Sequence, residues 1–410
     1  EVIVETGSAV SASGIKMLRE LGMIRDSGSK AGLYIGTVLF VLIVYAVFGV
    51  YLLTMERKVL ESRNDSVMLS IVIIITMFLA LFFKGINPKI TPALLTVLMT
   101  ALLINERTAL AVNFLTAMCI GLIAGSTGIE AFSADSAVRV GAMLTGGAAA
   151  VFAQKRTHKR SSVIVAGVIG GTAAALITAS VYLIQGRDAL RILEDAGWAI
   201  ASDSVSAVLC VGTLAVWENV FDVPTAARLL EQTSSSHPLI KRLMTEAPGT
   251  YHHSVMVAQL AEAAADRIGA DSLLAMAGAT FHDVGKLRRP LYFKENQKPD
   301  ENVHDLMAPE ESAAVILGHQ KDGVNLLHKY KLPSAVIRIA HEHHGNSLVS
   351  YFYHKAMSMA DGKPVNIKAF RYQGSRPTTK ESAIVMLADC CEAAVRSLGD
   401  TPREEVEEMV

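Results

Sequence analysis

AGLYIGTVLFVLIVYAVFGVYLLTM, residues 31–55, contains no charged side chain. Roughly 20 apolar residues in a helix cross a hydrocarbon core of about 30 Å, and a helix that is apolar all round does not face water. The segment therefore predicts a membrane span. Further apolar runs follow at 66–83, 90–105, 108–129, 137–153, 161–186 and 196–217. The third is short and the fifth is rich in Gly and Ala, with Arg139 near its start. So many long runs in succession exclude a soluble protein with buried core helices, and a bundle of seven transmembrane helices over residues 31–217 is expected.

Outward from this region the chain changes character. The balanced total of 38 Lys+Arg against 39 Asp+Glu hides an asymmetry, because charges, prolines and histidines return at ordinary density only after about residue 218. Of the 12 histidines, all but His158 lie between His237 and His354. A net charge of -1 gives no basic face for a nucleic-acid polymer. The cysteines Cys119, Cys210, Cys390 and Cys391 have neither disulfide nor metal-knuckle spacing and read as reduced packing residues. Residues 1–30, with the amphipathic Ile15–Leu21, read as the end of an extracytoplasmic segment, and the start at Glu1 without Met or signal pattern as a piece of a longer precursor.

Short cytoplasmic loops retain Lys and Arg. With the amino terminus outside, the inner loops hold Arg57, Lys58, Arg63, Arg107, Lys155, Arg156, Lys159 and Arg160, and the outer loops Lys84, Lys89, Arg139, Arg187 and Arg191. Seven spans then place the histidine-rich half in the cytoplasm, in a multi-pass protein of the bacterial cell membrane whose partner is the lipid bilayer. Tyr34, Tyr51, Tyr182, Trp198 and Trp217 lie near span ends, as interfacial aromatics do. Gly167 and Gly171 form a G-x-x-x-G pair that permits close helix approach, and a homo-oligomer is among the expected partners. Asp203, an ionisable residue within the last span, invites a functional role.

From residue 222 to 410 apolar residues recur at helical spacing, as in Val257, Leu260, Ala261 and Ala264, then Leu273, Leu274, Ala277 and Phe281. Pro309 and Pro333 suit helix starts, and Thr378 with Glu381 makes a capping box for a helix ending before Gly399. An all-α domain is expected. Onto its helices the sequence places His253, the pair His282-Asp283, His319, the pair His343-His344, and Asp389. A lone helical His is usually a hydrogen-bonded core or surface group. In Phe281-His282-Asp283-Val284-Gly285-Lys286, however, an apolar helix ends on a polar pair in which the carboxylate can bridge two metals while the imidazole caps one. One metal would take His253, His282, Asp283 and Asp389, and the other Asp283, His319, His343 and His344. A shared water and a substrate oxygen would raise each to six ligands, which suits Mn²⁺ or Fe²⁺ better than Zn²⁺. Two such cations lower the pKa of a shared water and clamp a phosphoryl oxygen, so the reaction class implied is phosphoester hydrolysis.

His253, His282-Asp283 with Gly285-Lys286, and Asp389 resemble the H…HD…D signature of the HD phosphohydrolase superfamily, and His319 with His343-His344-Gly345 resembles its two-metal branch. With seven spans ahead of them, and with Ala247-Pro248-Gly249-Thr250-Tyr251-His252-His253-Ser254, the chain resembles the seven-transmembrane HD-domain phosphohydrolase family of PgpH-type cyclic di-AMP phosphodiesterases. The resemblance implies a membrane-anchored enzyme that hydrolyses cyclic di-AMP to linear pApA, with the membrane region relaying a signal. It makes His253 rather than His252 the ligand, gives Asp283 and Lys286 catalytic roles, and has Lys286 stabilise phosphate charge. Family members carry a large extracytoplasmic domain before the spans and a further helical stretch after the catalytic domain; here only the tail of the first is expected. Tyr351, Phe352, Tyr353, Phe370 and Tyr372 are candidates to stack on a base, and Arg371, Arg376 and Arg396 to meet a phosphate. Competing readings are a phosphohydrolase acting on cyclic di-GMP or nucleoside polyphosphates, and a transmembrane nucleotide-binding receptor. The cyclic di-GMP branch carries Gly-Tyr-Pro after its late His pair, where this chain has Asn346-Ser347-Leu348.

Overall fold

The computed structural model describes residues 9–20, 30–124, 134–154, 159–298, 301–361, 363–398 and 407. Among them there is no β-strand, only an isolated antiparallel bridge between Leu348 and Arg371. The chain divides into two compact units, Glu1–Val216 and Trp217–Val410.

The first unit contains α1 (Ala12–Glu20), α2 (Lys30–Met55), α3 (Arg57–Glu61), α4 (Arg63–Ile86), α5 (Ala93–Leu103), α6 (Glu106–Ala124), α7 (Ala134–Gln154), α8 (Arg160–Ile184) and most of α9 (Ala189–Val220). Six of these helices, α2, α4, α6, α7, α8 and α9, are long and apolar enough to span a membrane. Residues 125–129 of the expected fourth span, and the loop residues Lys155 and Arg156, lie outside the described residues. The expected third span forms α5, a helix of only 11 residues that begins after Pro92 and ends at Ile104. Eight successive residues from Ala93 to Thr100 are buried, so this segment is apolar because protein surrounds it on every side. Helices α2 and α4 show the opposite pattern, with Ile35, Leu42, Ile74 and Phe78 exposed along them.

Helices α7 and α8 approach through small residues. A Cβ on Gly170 would stand 2.8 Å from the carbonyl oxygen of Gly146, and one on Gly146 2.9 Å from that of Gly170. The Gly167/Gly171 pair opens the other side of α8 to α9 of the same chain, since a Cβ on Gly171 would lie 2.8 Å from the Cα of Ile200. Small residues are the usual means of close packing where lipid removes any hydrophobic drive between helices.

The second unit is built from α10 (Ala226–Gln232), α11 (Pro238–Glu246), α12 (Pro248–Arg267), α13 (Ser272–Phe281), α14 (Pro309–Lys329), α15 (Ser334–Glu342), α16 (Ser350–Met359) and α17 (Lys380–Leu398). Helix α13 is its axis. Ala277 and Phe281 enter one apolar cluster with Leu239, Leu243, Val336 and Ala340, while Ala275 and Ala279 enter another with Val257, Ala261 and Val385. Asp271 caps α13 by accepting from the Leu274 amide at 2.9 Å. Pro309 occupies the first turn of α14, and Pro333 precedes α15. The capping box expected at Thr378 and Glu381 does not form. Thr379 caps α17 through the Ser382 amide, Thr378 donates to Glu342, and Glu381 accepts from the Asp271 amide. Local spacing could not show that Thr378 and Glu381 are used by neighbouring elements. All four cysteines are free, but Cys390 is exposed and so is no packing residue.

Replacing Gly170 with Val drives a branched side chain into the backbone of α7. Overpacking of this kind costs about 1–3 kcal/mol, so the thermal midpoint of the detergent-solubilised chain is expected to fall by several degrees. Gly49→Ala, where the added methyl meets nothing within 4 Å, should leave the midpoint unchanged in the same melting experiment.

Candidate active site

The end of α13 delivers the centre of the site. His282 is the C-cap of α13, and Asp283 opens the tight turn Val284–Arg288. That turn lies against α14 because both segments carry glycine: a Cβ on Gly285 would run into the His319 carbonyl and the Gly323 amide. α14 thereby brings His319 to the centre, α12 brings His253, and α17 brings Asp389. His343 is the C-cap of α15 and His344 follows it. The side chains of His253, His282, Asp283, His319 and His343 are at most 2% exposed.

The two oxygens of Asp283 face different groups. Oδ2 lies 3.4 Å from His253 Nε2 and 3.3 Å from His282 Nε2, while Oδ1 lies 3.2 Å from His319 Nε2 and 3.8 Å from His343 Nε2. Asp389 Oδ1 stands 3.0 Å from His253 Nε2 and 3.7 Å from His282 Nε2, and its Oδ2 is 3.7 Å from His344 Nδ1. The donor atoms of Asp283, His319, His343 and His344 lie within 4.8 Å of one another, as do those of His253, His282 and Asp389. Atoms bound to one ion at ~2.0–2.2 Å are separated by up to about 4.4 Å, so each group is within a few tenths of an ångström of the dimensions of a coordination shell.

The outer ring nitrogens decide which lone pairs face inward. His282 Nδ1 donates to the Ala279 carbonyl at 2.6 Å, His319 Nδ1 to that of Ile316 at 2.6 Å, and His343 Nδ1 to that of Ala340 at 2.7 Å. In each case the acceptor lies three residues back, and a carbonyl can only accept, so Nδ1 carries a proton and Nε2 is the nitrogen turned to the centre, able to offer its lone pair once no proton occupies it. For His253 the outer partner is the Glu392 carboxylate, 2.6 Å from Nδ1. His282 Nε2 and Asp283 Oδ1 are buried without a hydrogen-bond partner in the protein. Such groups are costly, and a divalent cation in each shell would satisfy them. The residues present fit two such ions.

The charges are strongly coupled. Burial alone would raise the pKa of Asp283, but Lys286 and His282 outweigh it and hold the carboxyl well below its usual range. Burial likewise opposes ionisation of Asp389, and His253 with His282 overcomes it. Burial disfavours the charged rings of His253 and His282, yet Asp283 and Asp389 push them up to about 9 and about 10. A cation entering there would displace those protons. His344 is pushed down to about 3 by burial and by His319, and His343 falls well below its usual value through burial and through His344 and His282.

Lys286 places its ammonium 2.6 Å from Asp283 Oδ2 and 2.8 Å from Glu295 Oε1. Sequence spacing gave no sign of Glu295, which the turn Lys294–Asn296 holds against the start of α12, where it accepts from Thr250 Oγ1 at 3.2 Å. The base-stacking candidates separate. Phe352 and Phe370 are buried in an apolar cluster with Ala313. Tyr351 is exposed, and Tyr372 lies buried against His344 with ring centroids 4.3 Å apart. Arg371 donates to the Asn346 carbonyl, and Arg396 approaches Glu392 at 3.5 Å. The rim lies at His344, whose side chain is 23% exposed against 11% for Asp389; the inner ligands are closed off.

Glu392 orients His253 without facing the centre itself. Losing an outer partner of a ligating imidazole typically lowers metal affinity by roughly 10- to 100-fold. Glu392→Gln should weaken Mn²⁺ affinity in that range by titration, with the helical circular dichroism unchanged. Undiminished affinity would remove Glu392 from the site.

Two family models match the chain: that of the 7TM receptor with intracellular HD hydrolase over residues 32–225, and that of the HD domain over residues 250–394. The chain is 33% identical over its whole length to the cyclic-di-AMP phosphodiesterases PgpH of Bacillus subtilis (strain 168) and Listeria monocytogenes serotype 1/2a (strain 10403S), of which it spans 58% and 57%. The solved HD domain of L. monocytogenes PgpH is 48% identical over 42% of this chain and 81% of that structure, with a TM-score of 0.40. With an apolar helical unit followed by an HD domain, the chain belongs to the family of seven-transmembrane proteins with an intracellular HD hydrolase domain.

Proposed function

We propose that the chain is a membrane-anchored phosphodiesterase that opens cyclic di-AMP to linear pApA, with the region 31–217 embedded as seven spans and residues 222–410 forming a cytoplasmic catalytic domain. The observation that carries the chemistry is the division of the Asp283 oxygens between two ligand groups. The substrate is suggested by the two PgpH relatives, which are cyclic-di-AMP phosphodiesterases. In the proposed scheme His253, His282, Asp283 and Asp389 hold one divalent ion, and Asp283, His319, His343 and His344 the other. Mn²⁺ or Fe²⁺ suits this mixed imidazole and carboxylate donor set once solvent and substrate complete each shell.

Two divalent cations there supply Lewis-acid activation of water and of the phosphoryl oxygens. The protein's own part is positional and electrostatic. Backbone carbonyls and Glu392 hold the imidazoles with their lone pairs inward. Lys286, kept protonated by Asp283 and Glu295 against the effect of burial, offers positive charge beside the bridging carboxylate to a phosphate that gains charge as the bond breaks. Hydrolysis adds the water oxygen to phosphorus, breaks one bond from phosphorus to a ribose 3′ oxygen, and leaves that oxygen protonated. The ring of Tyr372, seated on His344 at the open rim, fixes the wall along which the dinucleotide enters.

Incubation of the purified chain with Mn²⁺ and a panel of cyclic dinucleotides tests the substrate. Cyclic di-AMP should be opened with kcat/KM at least roughly tenfold above cyclic di-GMP, a preference that needs only about 1.4 kcal/mol of differential transition-state binding. Equal rates on the two, or release of triphosphate from a nucleotide, would overturn the substrate while leaving the metal scheme intact. Asp389→Ala should abolish turnover and keep its helical circular dichroism, because α17 folds through Ile384, Val385 and Ala388 on the apolar side.

A further inference from the structure

The apolar unit contains a cavity of about 70 Å³, open on one side, walled by α7, α8, α9 and the segment that leads into α5. One face of α9 lines it from Asp195 through Trp198, Ala199 and Ser202 to Asp203, the spacing of a helix presenting a single stripe. Most polar groups in its wall are matched. Lys89 bonds Asp195 at 2.7 Å and Glu194 at 2.8 Å, and Ser202 donates to the Lys89 carbonyl.

Two ionisable groups of opposite type in the wall have no ion-pair partner among the described residues. Arg139 donates to the Pro88 carbonyl at 2.8 Å, and among the described residues no carboxylate pairs with it. Asp203 is half-buried, and among the described residues it receives no hydrogen bond and no ion pair. The two sit at different levels: Asp203 Oδ2 borders Gly146, two turns along α7 from Arg139, or roughly 10 Å at the helical rise. They do not neutralise one another. Asp203, within the apolar bundle, is the kind of group that faces inward and takes a partner, while Arg139 stands at the exposed end of the cavity, and the space between them has room for one partner that meets both.

We propose that this cavity binds a small zwitterion, with its ammonium against Asp203 and its anionic group against Arg139. The indole of Trp198 on the same wall adds a face that favours the ammonium. A simple amine leaves Arg139 unmatched and meets the positive charges of Lys89 and Arg139; a simple anion leaves Asp203 bare. The same chemistry exists in a free amino acid and in an aminophospholipid headgroup, and both act through the same two side chains.

The test is thermal melting of the full chain, purified and delipidated in detergent. The probes are β-alanine, 6-aminohexanoate and phosphoethanolamine, then short-chain phosphatidylethanolamine against phosphatidylglycerol, with ethylamine and propionate as single-charge controls. At least one zwitterion should raise the midpoint by several degrees at millimolar concentration. Asp203→Asn and Arg139→Gln should each abolish the shift while hydrolysis by both variants stays within about twofold of the parent. A response to the free zwitterions assigns a soluble ligand, and a response to phosphatidylethanolamine alone assigns a lipid headgroup. No shift with any zwitterion, an equal shift with ethylamine, or a shift retained in both variants would overturn the proposal. Melting is read independently of turnover, so its failure is distinct from failure of the proposed reaction.

Discussion

A carboxylate with almost no contact with water sits between four imidazoles and an ammonium, and the second unit is organised around making that arrangement tolerable. An ionised carboxylate in a dry interior is unfavourable unless opposite charge and hydrogen bonds surround it. Asp283 obtains opposite charge from Lys286 and His282 beside it in sequence and from His253 of α12, while its Oδ1, facing His319 of α14 and His343 of α15, has no hydrogen-bond partner in the protein and is left for a cation. The rings facing it cannot turn away, since three are tied by Nδ1 to carbonyls of their own helices and the fourth to Glu392. The result is a cluster of lone pairs aimed at two points, which is the preorganisation that metal-assisted hydrolysis requires.

The backbone around this cluster is shaped by what must come close. Helix α13 can lie between two apolar layers because it is built from Ala275, Ala277, Gly278 and Ala279, and a Cβ at Gly278 would strike Ile339 of α15. Gly285 performs the same service seven residues later, letting the turn after Asp283 rest on the backbone of α14. Small residues at these contacts place His282-Asp283 within reach of His319 and His343; larger ones would separate the ligand groups before affecting any ligand directly.

Much of this was legible in the sequence, for identifiable reasons. Membrane-length apolar runs are a composition signal that needs no knowledge of partners; that the run at 90–105 forms only the 11-residue α5, enclosed by protein, is a difference from its neighbours that composition does not show. The seven residues picked out as ligands stand out because His and Asp pairs at the ends of apolar helices are unusual, and the structure brings all seven together. Glu295 and Glu392 carried no such signal. Each is an acid in a polar stretch, and its significance depends on a neighbour 45 residues away for Thr250 and 139 away for His253. The capping box at Thr378 failed for the same reason, because Glu342 and Asp271 compete for its two members. Base-contacting residues were the least legible, as aromatic clusters serve cores and pockets alike; Phe352 and Phe370 belong to the core.

The central claim is that one carboxylate joins two metal sites, and metal stoichiometry tests it most directly. Elemental analysis of the purified chain after loading with Mn²⁺ and desalting should give two ions per chain for the parent and about one for His344→Ala. It should give close to none for Asp283→Ala, provided each variant retains its helical circular dichroism. Two ions retained in Asp283→Ala, or loss of both from His344→Ala alone, would contradict the shared bridge.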